Sequence, residues 1–217
     1  MQIKIFQKII NFIRYPIYGF YKRIIMFIIY LLVYDNEKSN WQLRNLLYRT
    51  LGMKIGKKCY ISRGLDLYSP KNLILEDYVC LGQSNIIQSF TKVKIGKYVQ
   101  TARDVSIIAG THDEHDFSSG KKDMTIEIGA GCWIGTRVTI LAGVKIGKGC
   151  IIGAGAVVNK DIPDFSIAAG VPCKVIRKRE PADIIIHPSK NYSLKDLMLL
   201  PSPINKKEDS NSEKKLL

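Results

Sequence analysis

The strongest constraint in this sequence is a six-residue period. From Ile55 onward an aliphatic residue recurs at that spacing, often followed by Gly, with a small or apolar companion four positions later. The clearest run is Ile128-Gly129, Ile134-Gly135, Ile140, Ile146-Gly147, Ile152-Gly153 and Val158, with companions Cys132, Val138, Val144, Cys150, Ala156 and Ile162. An earlier run gives Ile95-Gly96, Thr101 and Ile107, with Val99 and Val105 as companions. Before it come Ile55-Gly56, Ile61 and Leu67, while Leu75, Leu81 and Ile87 read as a weaker copy offset by two residues. This period is neither that of a helix nor the alternation of a half-buried strand. It describes a short strand, a turn and another short strand. Three units close a triangular coil, and coils stack at the strand spacing of about 4.8 Å. A coil buries its aliphatics only under a neighbour, so the core becomes a continuous column. Glycines are expected at the corners, where tight turns need their backbone freedom. The expected fold is all-β, a parallel β-helix of hexapeptide repeats.

Composition limits the function classes. Five cysteines, at 59, 80, 132, 150 and 173, form no CxxC pair and are odd in number. That argues against a disulfide framework and for a reducing compartment. Zinc-ligand spacings are missing, so no metal is expected. Cys132 and Cys150 lie one coil apart and should stack inside the column as small apolar residues. The formal net charge of +14 calls for an anionic partner: a membrane surface, a nucleic acid or a phosphorylated ligand. No basic-aromatic motif favours nucleic acid.

Residues 1–51 read as an amphipathic helical segment. Ile3, Phe6, Ile9, Ile10, Ile13, Ile17, Phe20 and Ile24 follow a helical period among five basic and no acidic residues. The apolar run Ile24–Tyr34 is too short for a bilayer span, which needs about 20 residues. A basic helix lying in a membrane interface fits; a packing helix is the alternative. Pro16 and Gly19 are expected to break the segment in two. A second helix is expected over Trp41–Leu51, with Leu43, Leu46, Leu47 and Leu51 on its packing face and Gly52 as its stop. Residues 52–178 carry the repeat. Residues 179–217 lose it, and the last of them read as disordered.

The period breaks after Ile107-Ile108-Ala109-Gly110-Thr111-His112. Asp113–Thr125 is polar and off-period, and the repeat resumes at Ile126. Insertions thrown from a solenoid map to its binding face. His112 stands at the root of this one, where a rigid coil can hold a general base. His115 lies within the insertion.

At these residues the chain resembles the hexapeptide-repeat acetyltransferases, in particular the branch acting on galactosides, maltose and polysaccharides. The matching segments are Thr111-His112-Asp113, Gly131-Cys132-Trp133-Ile134-Gly135, the run from Ile152 to Pro163, and Ala169-Gly170-Val171-Pro172-Cys173-Lys174-Val175-Ile176-Arg177. The resemblance implies a left-handed β-helix and a homotrimer with its sites between subunits. It implies His112 as catalytic base and acetyl-CoA as acyl donor. Trp133 would line the pantetheine channel. Asn159 (where the family has Thr) and Lys160 would stand near the adenosine end, and Lys174 and Arg177 near the phosphates. The family's acceptor-binding asparagine aligns with Gly82 here, with Asn85 nearby; Asn85 and His115 are the candidate acceptor contacts.

Together these readings suggest acetyl transfer from coenzyme A to a sugar hydroxyl in surface glycan synthesis. The place would be the cytoplasm or the inner face of a bacterial membrane. An N-acyltransferase acting on an amino sugar or amino acid, and a non-catalytic scaffold, are the alternatives.

Overall fold

The computed structural model describes residues 18–30, 41–113, 115, 120, 123–179, 185–187 and 192–193. The chain divides into two units, Met1–Gly52 and Met53–Leu217.

In the first unit residues 18–30 form a helix, α1, and Trp41–Thr50 form α2. Gly19 lies inside α1 and does not break it; Pro16 lies outside the described residues. The Tyr18 hydroxyl donates to the Leu51 carbonyl at 3.2 Å. Ile25 and Ile29 are buried, while Phe20, Ile24 and Phe27 face outward. The face expected for the second helix is covered only in part, at Leu51 and, half-buried, at Leu47. Arg44, Asn45 and Tyr48 are buried, and Leu43 and Leu46 are exposed. The period that aligns the leucines also aligns the opposite face, and periodicity alone does not say which side is covered. Gly52 ends the helix at φ 100°, its N–H bonded to the Arg49 carbonyl.

The second unit is a column of coils. The first coil is β1 (Lys54–Ile55), β2 (Tyr60–Ile61) and β3 (Asp66–Tyr68). The second is β4 (Leu73–Leu75), β5 (Cys80–Leu81) and β6 (Ile86–Gln88). The third is β7 (Val93–Ile95), β8 (Gln100–Thr101) and β9 (Ser106–Ile108). After the insertion come β10 (Ile126–Ile128), β11 (Trp133–Ile134) and β12 (Thr139–Ile140), then β13 (Lys145–Ile146), β14 (Ile151–Ile152) and β15 (Val157–Val158). Each position in a coil pairs in parallel with the same position in the next, giving three faces, β1-β4-β7-β10-β13, β2-β5-β8-β11-β14 and β3-β6-β9-β12-β15. On face two, β16 (Ser166–Ala169) continues the stack and β17 (Lys174–Lys178) turns back antiparallel. Beyond the repeat, β18 (Ile185–His187) and β19 (Tyr192–Ser193) form a short antiparallel pair that the sequence did not announce. The end of the tail lies outside the described residues.

The two-residue offset of Leu75, Leu81 and Ile87 has a simple cause. Ile55, Leu75 and Ile95 share one ladder at 20-residue steps, whereas Ile128 and Ile146 are 18 apart. The extra residues sit at one corner, between face three and the next face one, where Pro70–Asn72 make a 3-10 turn. The insertion between Ile108 and Ile126 leaves from this same corner.

The expected role of the repeat glycines is also corrected. A Cβ on Gly129 would lie 2.5 Å from the Lys148 nitrogen, and one on Gly147 would lie 2.4 Å from the Asp164 nitrogen. These glycines are bare because the next coil's backbone passes over them. Left-handed corner positions are held by other glycines such as Gly131, Gly149 and Gly155, and equally by Tyr78, Tyr98, Asp104 and Arg137.

All five cysteines are free. Cys132 and Cys150 occupy the same position in successive coils, both buried, and the Cys132 thiol donates to the Gly147 carbonyl at 2.9 Å. Burial pushes the Cys132 thiol well up from its ordinary range. These are packing cysteines.

Candidate functional site

His112 stands where the third coil releases the chain. Its backbone bridges antiparallel to Gly120, so the insertion returns on itself, and its side chain is exposed. His115 is exposed too, with its N–H bonded to the Asp113 carboxylate at 2.9 Å. The roots of the insertion are held by Thr91, one coil below. The Thr91 N–H gives 2.8 Å to the Ala109 carbonyl, and its hydroxyl lies 3.1 Å from that carbonyl and 2.7 Å from the Met124 carbonyl. Thr91 was missed in the sequence because its partners are 18 and 33 residues away.

Trp133 lies elsewhere, on face two, half exposed, paired with Gln100 below and Ile151 above. The same ladder continues through Ile167 to Arg177 on β17. Three strand spacings separate Trp133 from Arg177, roughly 14 Å. Lys174 opens that last strand, opposite Ala169. Face two therefore carries an open strip with an indole at one end and two cations at the other. The remaining basic residues here have structural work. Lys178 donates to the Asp164 carbonyl at 2.9 Å, and Arg179 to the Gly149 carbonyl at 3.1 Å.

Asn159 and Lys160 follow β15, both exposed. They leave face three at the corner that carries His112, two coils farther along the column. The candidate residues thus fall into two sets. His112, Asn159 and Lys160 line one corner, while Trp133, Lys174 and Arg177 lie on the face opposite that corner in the triangular section.

Asn85 belongs to neither set. It is fully buried, donates to the Gln83 and Ala102 carbonyls at 3.1 and 2.9 Å, and accepts from the Thr101 hydroxyl at 2.6 Å. The acceptor contact expected of it is corrected to an internal strut, because a buried amide with these partners offers nothing outward. Among the described residues no group of three metal-ligating side chains converges.

The bacterial transferase hexapeptide model, of six repeats, matches residues 125–160. A Mycobacterium tuberculosis protein described as an acetyltransferase is 39% identical over 109 residues, covering 48% of this chain and 36% of its own length. The galactoside acetyltransferase solved in complex with coenzyme A superposes with a TM-score of 0.61 at 27% identity, over 76% of this chain and 82% of that one. WcaF of Escherichia coli K12, assigned to colanic acid biosynthesis as an acetyltransferase, is 32% identical over 136 residues, covering 63% of this chain and 75% of WcaF. With the repeat, the coil stack and three quarters of that relative matched, the chain belongs to the hexapeptide-repeat acetyltransferases.

Proposed function

We propose that this protein transfers the acetyl group of acetyl-CoA to a sugar hydroxyl, in a homotrimer, during surface glycan synthesis. The observation that carries the reading is the partition of the candidate residues. One chain has His112 and Lys160 at a corner and Trp133 and Arg177 on the opposite face, so the two sets do not face one another within a single copy. A neighbouring copy that lays its face two beside this corner brings the sets together around one coenzyme. A ring of such contacts closes on itself at small copy number, and the trimer is the closure we favour.

In this groove the coenzyme lies along face two. Its phosphates meet Lys174 and Arg177 of one copy, with Lys160 of the other copy near the nucleotide, and its pantetheine chain runs past Trp133. The thioester then reaches His112. The neutral imidazole takes the proton of the acceptor hydroxyl as the oxygen attacks the thioester carbon. The tetrahedral oxyanion collapses, the C–S bond breaks, and the leaving thiolate takes the proton from the imidazolium. The products are an O-acetyl sugar and free coenzyme A. No serine or cysteine nucleophile stands beside the histidine in sequence, so the transfer is written as direct.

The helical unit supports work at a membrane surface. Phe20, Ile24 and Phe27 of α1 and Leu43 and Leu46 of α2 are exposed, as is the basic Arg23, with Lys22 half-buried beside it. No helix among the described residues is long and apolar enough to cross a membrane. Apolar side chains facing out beside basic ones suit an anionic interface, and an acceptor carried on a membrane lipid would be met there.

The test is turnover of labelled acetyl-CoA with a panel of pyranosides and amino sugars. An alkali-labile, ester-linked product is expected. An alkali-stable amide would mean N-transfer, and coenzyme A binding without transfer to any acceptor would overturn the reading.

A further inference from the structure

The corner that carries His112 also carries two aromatic rings that the mechanism does not use. Tyr68 ends β3, and Phe90 lies two residues past β6, one coil above. Their centroids are 6.2 Å apart and their planes tilted by 38°. Both are exposed, Tyr68 by 42% and Phe90 by 57%. The Phe90 ring lies against the backbone of Gly110 in the third coil, where an added Cβ would come within 2.8 Å of it. His112 is two residues farther along. Two neighbouring rings, each partly exposed, make a contiguous candidate surface for a ligand.

The two rings are set on a rigid mount. Asn72 donates its amide to the Ser89 and Phe90 carbonyls at 2.9 and 3.0 Å. Ser89 donates its hydroxyl toward the Tyr68 and Ser69 carbonyls at 2.6 and 3.0 Å. The residue after Phe90 is Thr91, which clamps both roots of the insertion. The backbone under the rings and the loop bearing His112 are therefore held by one segment.

We propose that Tyr68 and Phe90 form a stacking platform for the pyranose ring of the acceptor, which rests on the reading of His112 as its base. A pyranose has an apolar face of C–H bonds and an equator of hydroxyls. The negative face of an aromatic ring attracts those C–H groups, while the hydroxyls stay free to point at a base. A ring laid on Phe90 extends past Gly110 toward His112 and offers it a hydroxyl. Polar recognition alone would not require the rings. The platform makes a cyclic sugar, and not a linear alcohol, the preferred acceptor.

The experiment uses the full-length protein, acetyl-CoA and a methyl pyranoside, with Phe90→Leu and Phe90→Tyr. Leucine keeps the apolar contact with Gly110 and loses the π face; tyrosine keeps both. Phe90→Leu is expected to raise KM for the pyranoside at least about fivefold, with KM for acetyl-CoA and the assembled mass unchanged, and Phe90→Tyr to restore it. An unchanged pyranoside KM overturns the platform. So does a loss of assembly in Phe90→Leu, which makes the rings a subunit contact. If no pyranoside is acetylated, the catalytic reading fails separately. The platform is then tested by saturation-transfer NMR with methyl pyranosides, where signals from one sugar face that vanish in Phe90→Leu uphold it and their absence in the native protein overturns it.

Discussion

The hydroxyl of Thr91 donates to the carbonyl of Met124 at 2.7 Å, across 33 residues of chain. With the Ala109 carbonyl 3.1 Å from the same oxygen, one side chain holds the exit and the re-entry of the insertion that starts at His112. Thr91→Val keeps the shape and removes the donor. Stability should fall by about 1 kcal/mol, and kcat several-fold as the root of the histidine loosens. Thr91→Ser should recover most of both. Thermal unfolding and steady-state kinetics decide it; an unchanged kcat would reduce Thr91 to a purely structural role.

His112→Ala should lower kcat by about 10²-fold or more while acetyl-CoA binding persists. His115→Ala should cost less, since no coil fixes its backbone. Near-normal turnover in a folded His112→Ala protein would remove the general base from the mechanism.

The composite site can be read out by mixing. A donor-strip variant, Trp133→Ala with Arg177→Ala, and the His112→Ala variant should each be weak alone. Assembled together, about a quarter of the sites in a ring would combine an intact corner with an intact face. Activity should rise above either parent. If mixing recovers nothing, the two sets of residues do not meet between copies.

The cations assigned to the coenzyme, on the strip and at the corner, should discriminate between donors. Lys160→Ala or Arg177→Ala should raise KM for acetyl-CoA more than for a truncated acetyl thioester that lacks the nucleotide. Equal effects on both donors would assign these cations to the fold.

Two glycines should respond to very different degrees. Gly129→Ala drives a methyl into the backbone of Lys148 and should prevent coils four and five from stacking, read as a collapse of Tm. Gly155 sits at φ 70° with nothing within 4 Å of an added Cβ. Gly155→Asn should therefore cost at most about 1 kcal/mol, because Asn tolerates the left-handed region.

The helical unit makes a separate prediction. Full-length protein should sediment with vesicles containing anionic lipid and be released by high salt, each basic residue near the surface contributing about 1 kcal/mol. Protein starting at Trp41 should stay in the supernatant and still acetylate a small acceptor. Indifference of the full-length protein to vesicles would leave the exposed phenylalanines for subunit contact.

By itself the sequence determined the column. A six-residue period has one economical solution, and every inward position named from it, Ile55 through Val158, lies in the paired strands. It also placed His112, because a polar insertion in a regular repeat is visible without coordinates. Tertiary structure decided what depends on neighbours far apart in sequence. The glycines after the aliphatics serve the passage of the next coil, a distance that no local rule reports. Asn85 looked available for an acceptor and is buried under Thr101 and Ala102. Leu43 and Leu46 of α2 face outward because the covering side of an amphipathic helix is set by what packs on it. The separation of His112 from Trp133 is likewise a property of the triangular section: residues 21 apart in sequence end on opposite sides of the column.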